Sequence, residues 1–235
     1  RAQNCSWRQG SVFLYSIWVV MLLSLFAAGV GSQALFALEL SDRLTEQLRA
    51  GYIARAAVQY AALALEQDPT PSIDGFTELW AENPAVFDHH QMAGGWFSVT
   101  APVQESQPAR YGLTDEERRL NLNTAPAEVL ARLLEHVGGL TEREALDAGA
   151  AIEDWRDEDD TQRSNGAEDF YYGSLSSAYD CKDAPFEHVE ELLLVRGITP
   201  EVYRHLEPYV TVYGSGFVNL NTASAEVLRA LGMSD

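Results

Sequence analysis

Residues 8–40 read RQGSVFLYSIWVVMLLSLFAAGVGSQALFALEL, and the remaining chain is best understood from this segment. No charged side chain occurs between Arg8 and Glu39. A helix needs about 20 mostly apolar residues to cross a bilayer, and the uncharged segment is longer than that. The sequence therefore predicts a membrane-spanning helix in this part of the chain.

The apolar segment continues into an amphipathic one. Apolar residues recur at helical spacing as far as Leu63, with acidic and basic residues between them. Pro69 cannot continue a helix. The pattern predicts one continuous helix over residues 8 to about 67, with a transmembrane half at 11–33 and an amphipathic half at 34–68.

The composition of the chain disfavours nucleic acid as a partner. The 235 residues include 16 basic and 35 acidic side chains, so the net charge is 16 − 35 = −19. Phosphate recognition needs a basic surface. Cys5 and Cys181 are the only two cysteines in the sequence, which allows at most one disulfide and indicates no thiol site.

The residues before the apolar run contain two arginines and no acidic residue. Basic residues before an anchor keep that end in the cytoplasm, so the body is expected on the other side of the membrane. Three outcomes stay open: an uncleaved anchor, cleavage after the apolar run near Ser32, and cleavage between Gly10 and Ser11. The third removes a leader at residues 1–10 and leaves a net charge of 14 − 35 = −21.

Short strand-like segments follow the helix, and they predict an α+β fold. Residues rich in aromatic and β-branched side chains are separated by turn formers. We expect them to form a small antiparallel sheet that packs on the amphipathic half of the helix. The predicted strands cover 96–101, a hairpin of 110–113 with 119–122, and then 209–213 and 217–220.

A helical domain is predicted between these strands, over residues 124–207. It would divide the α/β body into two parts, at 69–123 and 208–235. Thr141 and Glu144 have the spacing of a capping box, which marks the start of one of its helices. The predicted helices span 126–136, 141–155, 186–195 and 199–206.

The most acidic stretch indicates a metal site. Residues 152–160 read IEDWRDEDD, and GAEDFYY follows at 166–172. Carboxylates at the end of a helix repel one another and oppose the helix dipole, and a hard cation relieves both costs. Ca²⁺ takes about 6–8 oxygen ligands. A solvated acidic loop and a catalytic carboxylate pair are the alternatives. The predicted ligands are Asp157, Asp159 and Glu168, followed by Asp154 and Asp160.

An internal repeat suggests a second function to weigh. LNLNTAPAEVL at 120–130 recurs as VNLNTASAEVL at 218–228. The simpler interpretation is a strand end and a polar turn that caps a helix. The alternative is a helix-hairpin-helix that binds DNA, with LLLVRGIT at 192–199 as the hairpin. Thr199 stands where such a hairpin has its second glycine, so the match is incomplete.

The order of these motifs resembles one family over essentially the whole chain. RQG followed by SVFLYSIWVVMLLSL resembles a type IV prepilin leader. NLNTAPAEVLARLL, AIEDWRDEDD, GAEDFYY, ELLLVRGIT and VNLNTASAEVL resemble, in this order, the minor pseudopilin K family of type II secretion systems. The resemblance implies a pseudopilin fold with an inserted helical domain, and a non-enzymatic role in protein secretion. It also implies that a prepilin peptidase cuts between Gly10 and Ser11 and methylates Ser11.

Further expectations follow from the resemblance. The protein would be a single-pass protein of the bacterial inner membrane with its body in the periplasm. It would assemble with the I and J minor pseudopilins at the filament tip and bind calcium. Tyr15 occupies the fifth mature position, where most pilins have Glu. The family continues past the second repeat, so the closing part of the sheet is expected beyond Asp235. The alternatives are a membrane-anchored DNA receptor and an anchored hydrolase that uses Asp157.

Overall fold

The structure used here is a computed structural model, and it groups the chain into two compact units. The long N-terminal helix lies almost entirely in the first unit, and most of the short elements lie in the second. The first unit contains the chain up to Ala62 and His89–Ser98, and the second contains Leu63–Asp88 and the chain from Val99 onward. The residues described are 7–70, 73–92, 94–101 and 108–233.

The N-terminal helix, α1, spans Trp7–Glu66 and contains 60 residues. At about 1.5 Å per residue it is about 90 Å long. Just after its end, the side chain of Asp68 accepts a 2.9 Å hydrogen bond from the backbone N–H of Thr70, across Pro69. The predicted continuous helix is therefore confirmed.

Among the described residues, α1 is the one helix whose length and composition suit a membrane span. Its most apolar part has a mean hydropathy of 2.2 and is not buried by the rest of the protein. Signal sequences share this length and composition. The hydroxyls of Ser16, Ser24 and Ser32 bond to helix carbonyls one turn earlier, at 2.9, 2.8 and 2.9 Å. These side chains therefore need no partner from water.

A short hairpin accompanies α1 in the first unit. Strand β1 (His90–Met92) pairs antiparallel with β2 (Gly95–Phe97). The ring of Tyr60 on α1 lies 4.4 Å from the ring of His90 and 5.7 Å from that of Phe97, between centroids. The amphipathic half of the helix thus packs on a small antiparallel sheet, as predicted.

The second unit contains two further strand pairs of different kinds. Strand β3 (Thr100–Ala101) pairs antiparallel with β4 (Arg110–Tyr111). Strand β5 (Leu120–Asn121) pairs parallel with β6 (Val210–Thr211). The parallel pair joins segments that are far apart in the chain.

Two of the predicted strand arrangements are wrong. Residues 96–101 do not form one strand, because the N–H of Val99 bonds to the carbonyl of Phe87 at 2.8 Å instead of continuing a ladder. Residues 110–113 do not form a hairpin with 119–122, since β4 pairs with β3 and β5 pairs with β6.

The strand predicted at 217–220 is also wrong. The backbone N–H of Asn219 bonds to the carbonyl of Glu117 at 2.8 Å, and no strand is assigned over these four residues. The side chain of Asn219 accepts a bond from the N–H of Asn221 at 3.1 Å. This local side-chain bond turns the backbone, which competes with an extended ladder.

The helices with clear start signals agree with the prediction. Helix α4 (Glu142–Arg156) begins with the capping box of Thr141 and Glu144. The side chain of Thr199 caps the next predicted helix. The helix predicted at 186–195 is instead a 3₁₀ helix at Val189–Leu194. The remaining helices are α2 (Pro84–Phe87), α3 (Ala127–His136), α5 (Asp169–Tyr172), α6 (Pro200–Leu206) and α7 (Ala225–Ala230).

One apolar core connects the helices of the second unit with the parallel strand pair. Helix α3 packs against both α4 and α7. The side chain of Arg132 also donates a 2.6 Å hydrogen bond to the carbonyl of Ala230. The α+β class is confirmed, and the boundary of a helical domain at 124–207 stays a prediction. Fully buried members of the core are Leu122, Leu130, Leu133, Leu134, Ile152, Tyr172, Leu192, Leu206, Val210 and Val227.

Gly112 is expected to be essential for the fold of the second unit. Its φ is +147°, and an added Cβ would lie 2.2 Å from the carbonyl oxygen of Ala81. Gly112→Ala should lower the free energy of unfolding by at least ~2 kcal/mol, measured by denaturant unfolding of the full chain in detergent. The control is Gly139→Ala, at φ +70° with nothing within 4 Å, where ~1 kcal/mol is expected. Equal losses would contradict the importance of the close approach.

Candidate metal centre

The carboxylate of Asp154, near the end of α4, is fully buried. It accepts hydrogen bonds from the backbone N–H of Arg163 at 3.3 Å and from its guanidinium at 3.2 Å. Burial raises the pKa of Asp154, and the bonds from Arg163 offset part of that effect. A Cβ at Gly166 would lie 1.9 Å from this carboxylate, so a side chain does not fit there. Asp154 is therefore enclosed and paired by the protein itself.

Arg163 connects three acidic side chains. Besides Asp154, it contacts Asp157 and also Glu153, the last with 3.3 Å between Nε and Oε2. The hydrogen bond to Asp157 is the main reason that the pKa of Arg163 is raised. The Oδ1 atom of Asp157 is nevertheless buried without a hydrogen-bond partner among the described residues. Asp157 thus keeps one oxygen for a further ligand.

Asp159 lies apart from the other predicted ligands. It is exposed, and its carboxylate accepts a 2.9 Å bond from the backbone N–H of Thr161. Hydrogen bonds from the side chain and then the backbone of Thr161 lower the pKa of Asp159. Asp159 belongs to none of the groups of adjacent ligand atoms found within the described ranges. The structure therefore gives it a local role in a turn.

Glu168, Cys181 and Asp183 form a compact group in which one ligand atom of each lies within 4.8 Å of the others. Glu168 is only 4% exposed, and among the described residues the only donor near its oxygens is the thiol of Cys181, which lies outside normal hydrogen-bond geometry. Oδ1 of Asp183 is also buried without a hydrogen bond to any described residue. Burial, followed by the charge of Asp154, raises the pKa of Glu168 to about 7. Buried oxygens without partners are costly, which indicates a missing cation or proton.

Asp183 also belongs to a second group, with Asp160 and Asp169. Asp169 accepts a 2.6 Å hydrogen bond from the backbone N–H of Cys181, which fixes the loop to the start of α5. Because Asp183 is common to both groups, four carboxylates gather in one region. We refer to Asp160, Glu168, Asp169 and Asp183 as the acidic centre.

The acidic centre suits a hard cation better than a soft metal. Its four named members offer only carboxylate oxygens, which are the ligands that Ca²⁺ prefers. Cys181 is the nearby sulfur, but burial raises the pKa of its thiol and disfavours the thiolate that soft metals bind. The orphaned oxygens of Glu168 and Asp183 are positions that a cation would satisfy. The residues present therefore fit calcium.

Sequence reasoning found two members of the acidic centre and missed two. Glu168 and Asp160 were predicted, whereas Asp169 and Asp183 were not. Asp169 was visible within the stretch GAEDFYY, next to a predicted ligand. Asp183 lies in YDCKDAPF at 179–186, and no recognised ligand spacing connects it to Glu168. Only the folded loop brings it there.

Another acidic group, Asp68, Asp74 and Glu78, has a different character. The carboxylate of Glu78 accepts a 2.7 Å bond from the indole of Trp80 and a 3.1 Å bond from the N–H of Gly75. Protein donors therefore satisfy Glu78, in contrast to Glu168. This group is explained by local structure alone.

The two NLNTA segments form the same turn. The side chain of Asn121 accepts a 2.8 Å bond from the N–H of Asn123, and that of Asn219 accepts a 3.1 Å bond from the N–H of Asn221. A helix follows each turn, α3 in the first copy and α7 in the second. The repeat is thus a repeated polar turn that leads into a helix.

The glycine of the supposed DNA-binding hairpin faces protein. Gly197 has φ +89°, and an added Cβ would lie 3.1 Å from Cβ of Ala148 on α4. Thr199, where a second glycine was sought, instead caps α6 by accepting a bond from the N–H of Val202. A phosphate-binding hairpin needs free backbone N–H groups. This segment serves packing and capping.

Comparisons with known proteins agree with the motif order. A profile of the family "Type II secretion system (T2SS), protein K" matches residues 109–215. Type II secretion system protein K of Klebsiella pneumoniae is 26% identical over 95% of this chain and 68% of its own length. The Aeromonas hydrophila protein is 26% identical over 95% of this chain and 70% of its own. Over nearly its whole length, this chain is therefore similar to type II secretion system protein K.

The fold of this chain also resembles a solved structure. A chain in the crystal structure of the GspK-GspI-GspJ complex from enterotoxigenic Escherichia coli is 20% identical, with a TM-score of 0.64. The match covers 81% of this chain and 69% of that one. The pseudopilin-type fold is thereby confirmed. The predicted processing residues Gly10 and Ser11 lie near the start of α1, and cleavage there stays a prediction.

Glu168 should make the metal-free protein less stable as the pH rises. Its pKa of about 7 in the fold exceeds the ordinary value of 4.5, so the folded state binds more protons between these values. Stability should fall from about pH 4.5 to about pH 7, by up to ~3 kcal/mol. Glu168→Gln should remove this contribution and be more stable than wild type above pH 7.

The measurement is denaturant unfolding of both proteins in EDTA across that pH range. The difference between the two proteins isolates Glu168 from other acids whose pKa is raised, such as Asp183. A difference that does not change with pH would show that folding leaves the pKa of Glu168 unchanged.

Proposed function

We propose that this chain is the minor pseudopilin at the tip of a type II secretion pseudopilus, where it helps to initiate and cap the filament. The similarity to type II secretion system protein K supports a role in the secretion pseudopilus. The observation that carries the proposal is the apolar half of α1. Its large side chains are exposed, for example Phe13 at 66% and Phe26 at 73%. A surface of this kind needs lipid or other apolar helices as its environment.

The proposed partners are the I and J minor pseudopilins. The relative of known structure was solved in a complex of GspK, GspI and GspJ. Tyr15 stands at the fifth position after the proposed cleavage site, so no carboxylate is available there to pair with a neighbour's terminal amine. This fits a subunit that has no further subunit above it.

The proposed location is the bacterial inner membrane, with a single span and the body in the periplasm. The length and composition of α1 support one span. The basic residues that precede the apolar run support a cytoplasmic N-terminus. A prepilin peptidase would then cut between Gly10 and Ser11, which removes the leader and keeps the helix.

We also propose that the protein acts through assembly and has no enzymatic activity. Burial disfavours the thiolate form of Cys181, which is therefore a poor nucleophile. Asp157, the residue considered for a hydrolase, is paired with Arg163. Both side chains thus have structural explanations.

We propose calcium as the ion of the acidic centre. Asp160, Glu168, Asp169 and Asp183 would hold it, and the unpaired oxygen of Asp157 is the next candidate. Of the ligands predicted from sequence, Asp154 is enclosed by Arg163 and Gly166, and Asp159 lies outside the centre. When bound, the ion would supply the positive charge that these carboxylates lack. It would join the end of α4, the start of α5 and the loop at 179–186.

Co-expression with I and J partners and a prepilin peptidase should yield a ternary complex. Intact-mass spectrometry of that complex should show a chain that begins at Ser11. Gly10→Val should prevent the cut, because cleavage sites of this kind need a small residue. Gly29→Val, within the apolar run and with nothing within 4 Å, should be processed normally. A chain that binds neither partner, or one cut near Leu35, would contradict the proposal.

Calcium should stabilise the full chain in detergent against heat. At a free concentration about 100 times the dissociation constant, the gain is ~2.7 kcal/mol relative to EDTA. Asp183→Asn should lose most of this gain, because Asp183 belongs to both groups of the centre. The matched control, Asp159→Asn, should keep it. Equal responses of the two variants, or no response of the wild type, would refute a calcium site at the acidic centre.

A further inference from the structure

A groove of about 640 Å³ in the second unit has a charge unlike the rest of the molecule. Arg110, Arg118 and Arg119 all line it. These are three of only 16 basic residues in a chain of net charge −19. A concentration of positive charge in so acidic a protein indicates a site for an anionic partner.

The three arginines are incompletely paired by the protein. Arg118 has no hydrogen bond or ion pair in the described part of the chain, and its guanidinium lies 5.9 Å from the ring centre of Phe76. The Nε atoms of Arg110 and Arg119 are buried without an acceptor among the same residues. Arg119 contacts Glu116 at 3.3 Å, and Arg110 donates to the carbonyl of Leu113 at 3.3 Å. Each of the three arginines therefore has at least one N–H donor without an acceptor among the described residues.

The acidic residues nearest in sequence already have other donors. Asp115 accepts bonds from the side chains of Asn219 and Thr222, at 2.9 and 2.6 Å. Glu116 accepts a 2.8 Å bond from the hydroxyl of Thr211, in addition to its contact with Arg119. These carboxylates make bonds that stabilise the fold, and they do not fully neutralise the three arginines of the groove.

The groove is lined by both basic and acidic side chains. Burial lowers the pKa of Arg118, and the charges of Arg110 and Arg119 lower it further. Glu207 and Glu190, which also line the groove, act instead on Tyr203, whose pKa is raised by burial and then by these two acids. The three arginines are therefore close enough to repel one another.

Apolar side chains also line the groove. Val189 and Val212 line the groove and are partly exposed, whereas Val210, which also lines it, is fully buried. A free inorganic anion makes no use of such a lining, whereas a peptide that carries acidic side chains beside apolar ones matches both features.

We propose that this groove binds an acidic segment of a partner protein, with carboxylates on Arg110, Arg118 and Arg119 and neighbouring apolar side chains on Val189 and Val212. The arginines present planar forks of N–H donors that match carboxylate geometry. Attraction at this groove is local, because the remaining surface of the chain is acidic and charge effects are screened over about 10 Å at 0.1 M salt. The inference does not depend on the proposed assembly with I and J.

The test measures binding of a fluorescent hexapeptide to the full chain in detergent. The peptide has two glutamates followed by four apolar residues, and its control has glutamines instead. The glutamate peptide should bind at least about tenfold more tightly, and its binding should weaken with salt. Arg118→Met should reduce that affinity about tenfold, and Arg118→Lys should restore part of it. Arg143→Met, an exposed arginine outside the groove, should have no effect.

Arg118 makes no bond that holds the fold, so its variants should unfold at the wild-type temperature, which circular dichroism checks. Equal binding of the two peptides, absence of binding, or an equal effect of Arg143→Met would overturn the proposal. Displacement of the peptide by millimolar inorganic phosphate would reveal a small-anion site instead. Binding that requires vesicles of anionic lipid would reveal a membrane contact and would also count against a peptide groove.

Discussion

The parallel pairing of Leu120 with Val210 is the constraint on which the second unit depends. These residues are 210 − 120 = 90 positions apart, and the closure entropy of such a loop must be offset by contacts that form inside it. The side chain of Asn121 reinforces the pair with a 2.9 Å bond to the carbonyl of Tyr213. The helices α3 to α6 and the acidic centre all lie within the closed loop. The arginine groove lies beside the β5–β6 pair that closes this loop, since Arg119 and Val210 both line it.

The parts of the fold that could be predicted are those with local causes. The long apolar and amphipathic pattern specified α1, and the capping residues Thr141 and Thr199 located two helix starts. The strand pairings were mispredicted because neighbouring strand-like segments were assumed to pair with each other. In the structure, β5 pairs with β6, which lies beyond the helical region in sequence. The backbone at Gly112 packs closely against the carbonyl of Ala81. No local pattern in a single sequence contains that information.

The site shows the same division. The run of carboxylates at 152–160 indicated the correct region, because neighbouring negative charges in one loop require positive charges, protons or cations in any fold. It did not identify which carboxylates stay unpaired, since Arg163 takes Asp154 and one oxygen of Asp157 only after folding. Asp183 reaches Glu168 through a backbone turn at φ +49°. The groove arginines gave no signal because Arg110 is separated in sequence from the other two.

The serine hydroxyls of α1 bond to carbonyls of their own helix, and this has a consequence for movement. A hydroxyl that is already bonded within its helix makes no directional demand on a neighbour. Ser16, Ser24 and Ser32 therefore do not fix the depth or rotation of the helix relative to whatever surrounds it. Contacts between these serines and a neighbouring helix would then rest on shape and dispersion alone. A stem of this kind can exchange one apolar environment for another without breaking a polar bond.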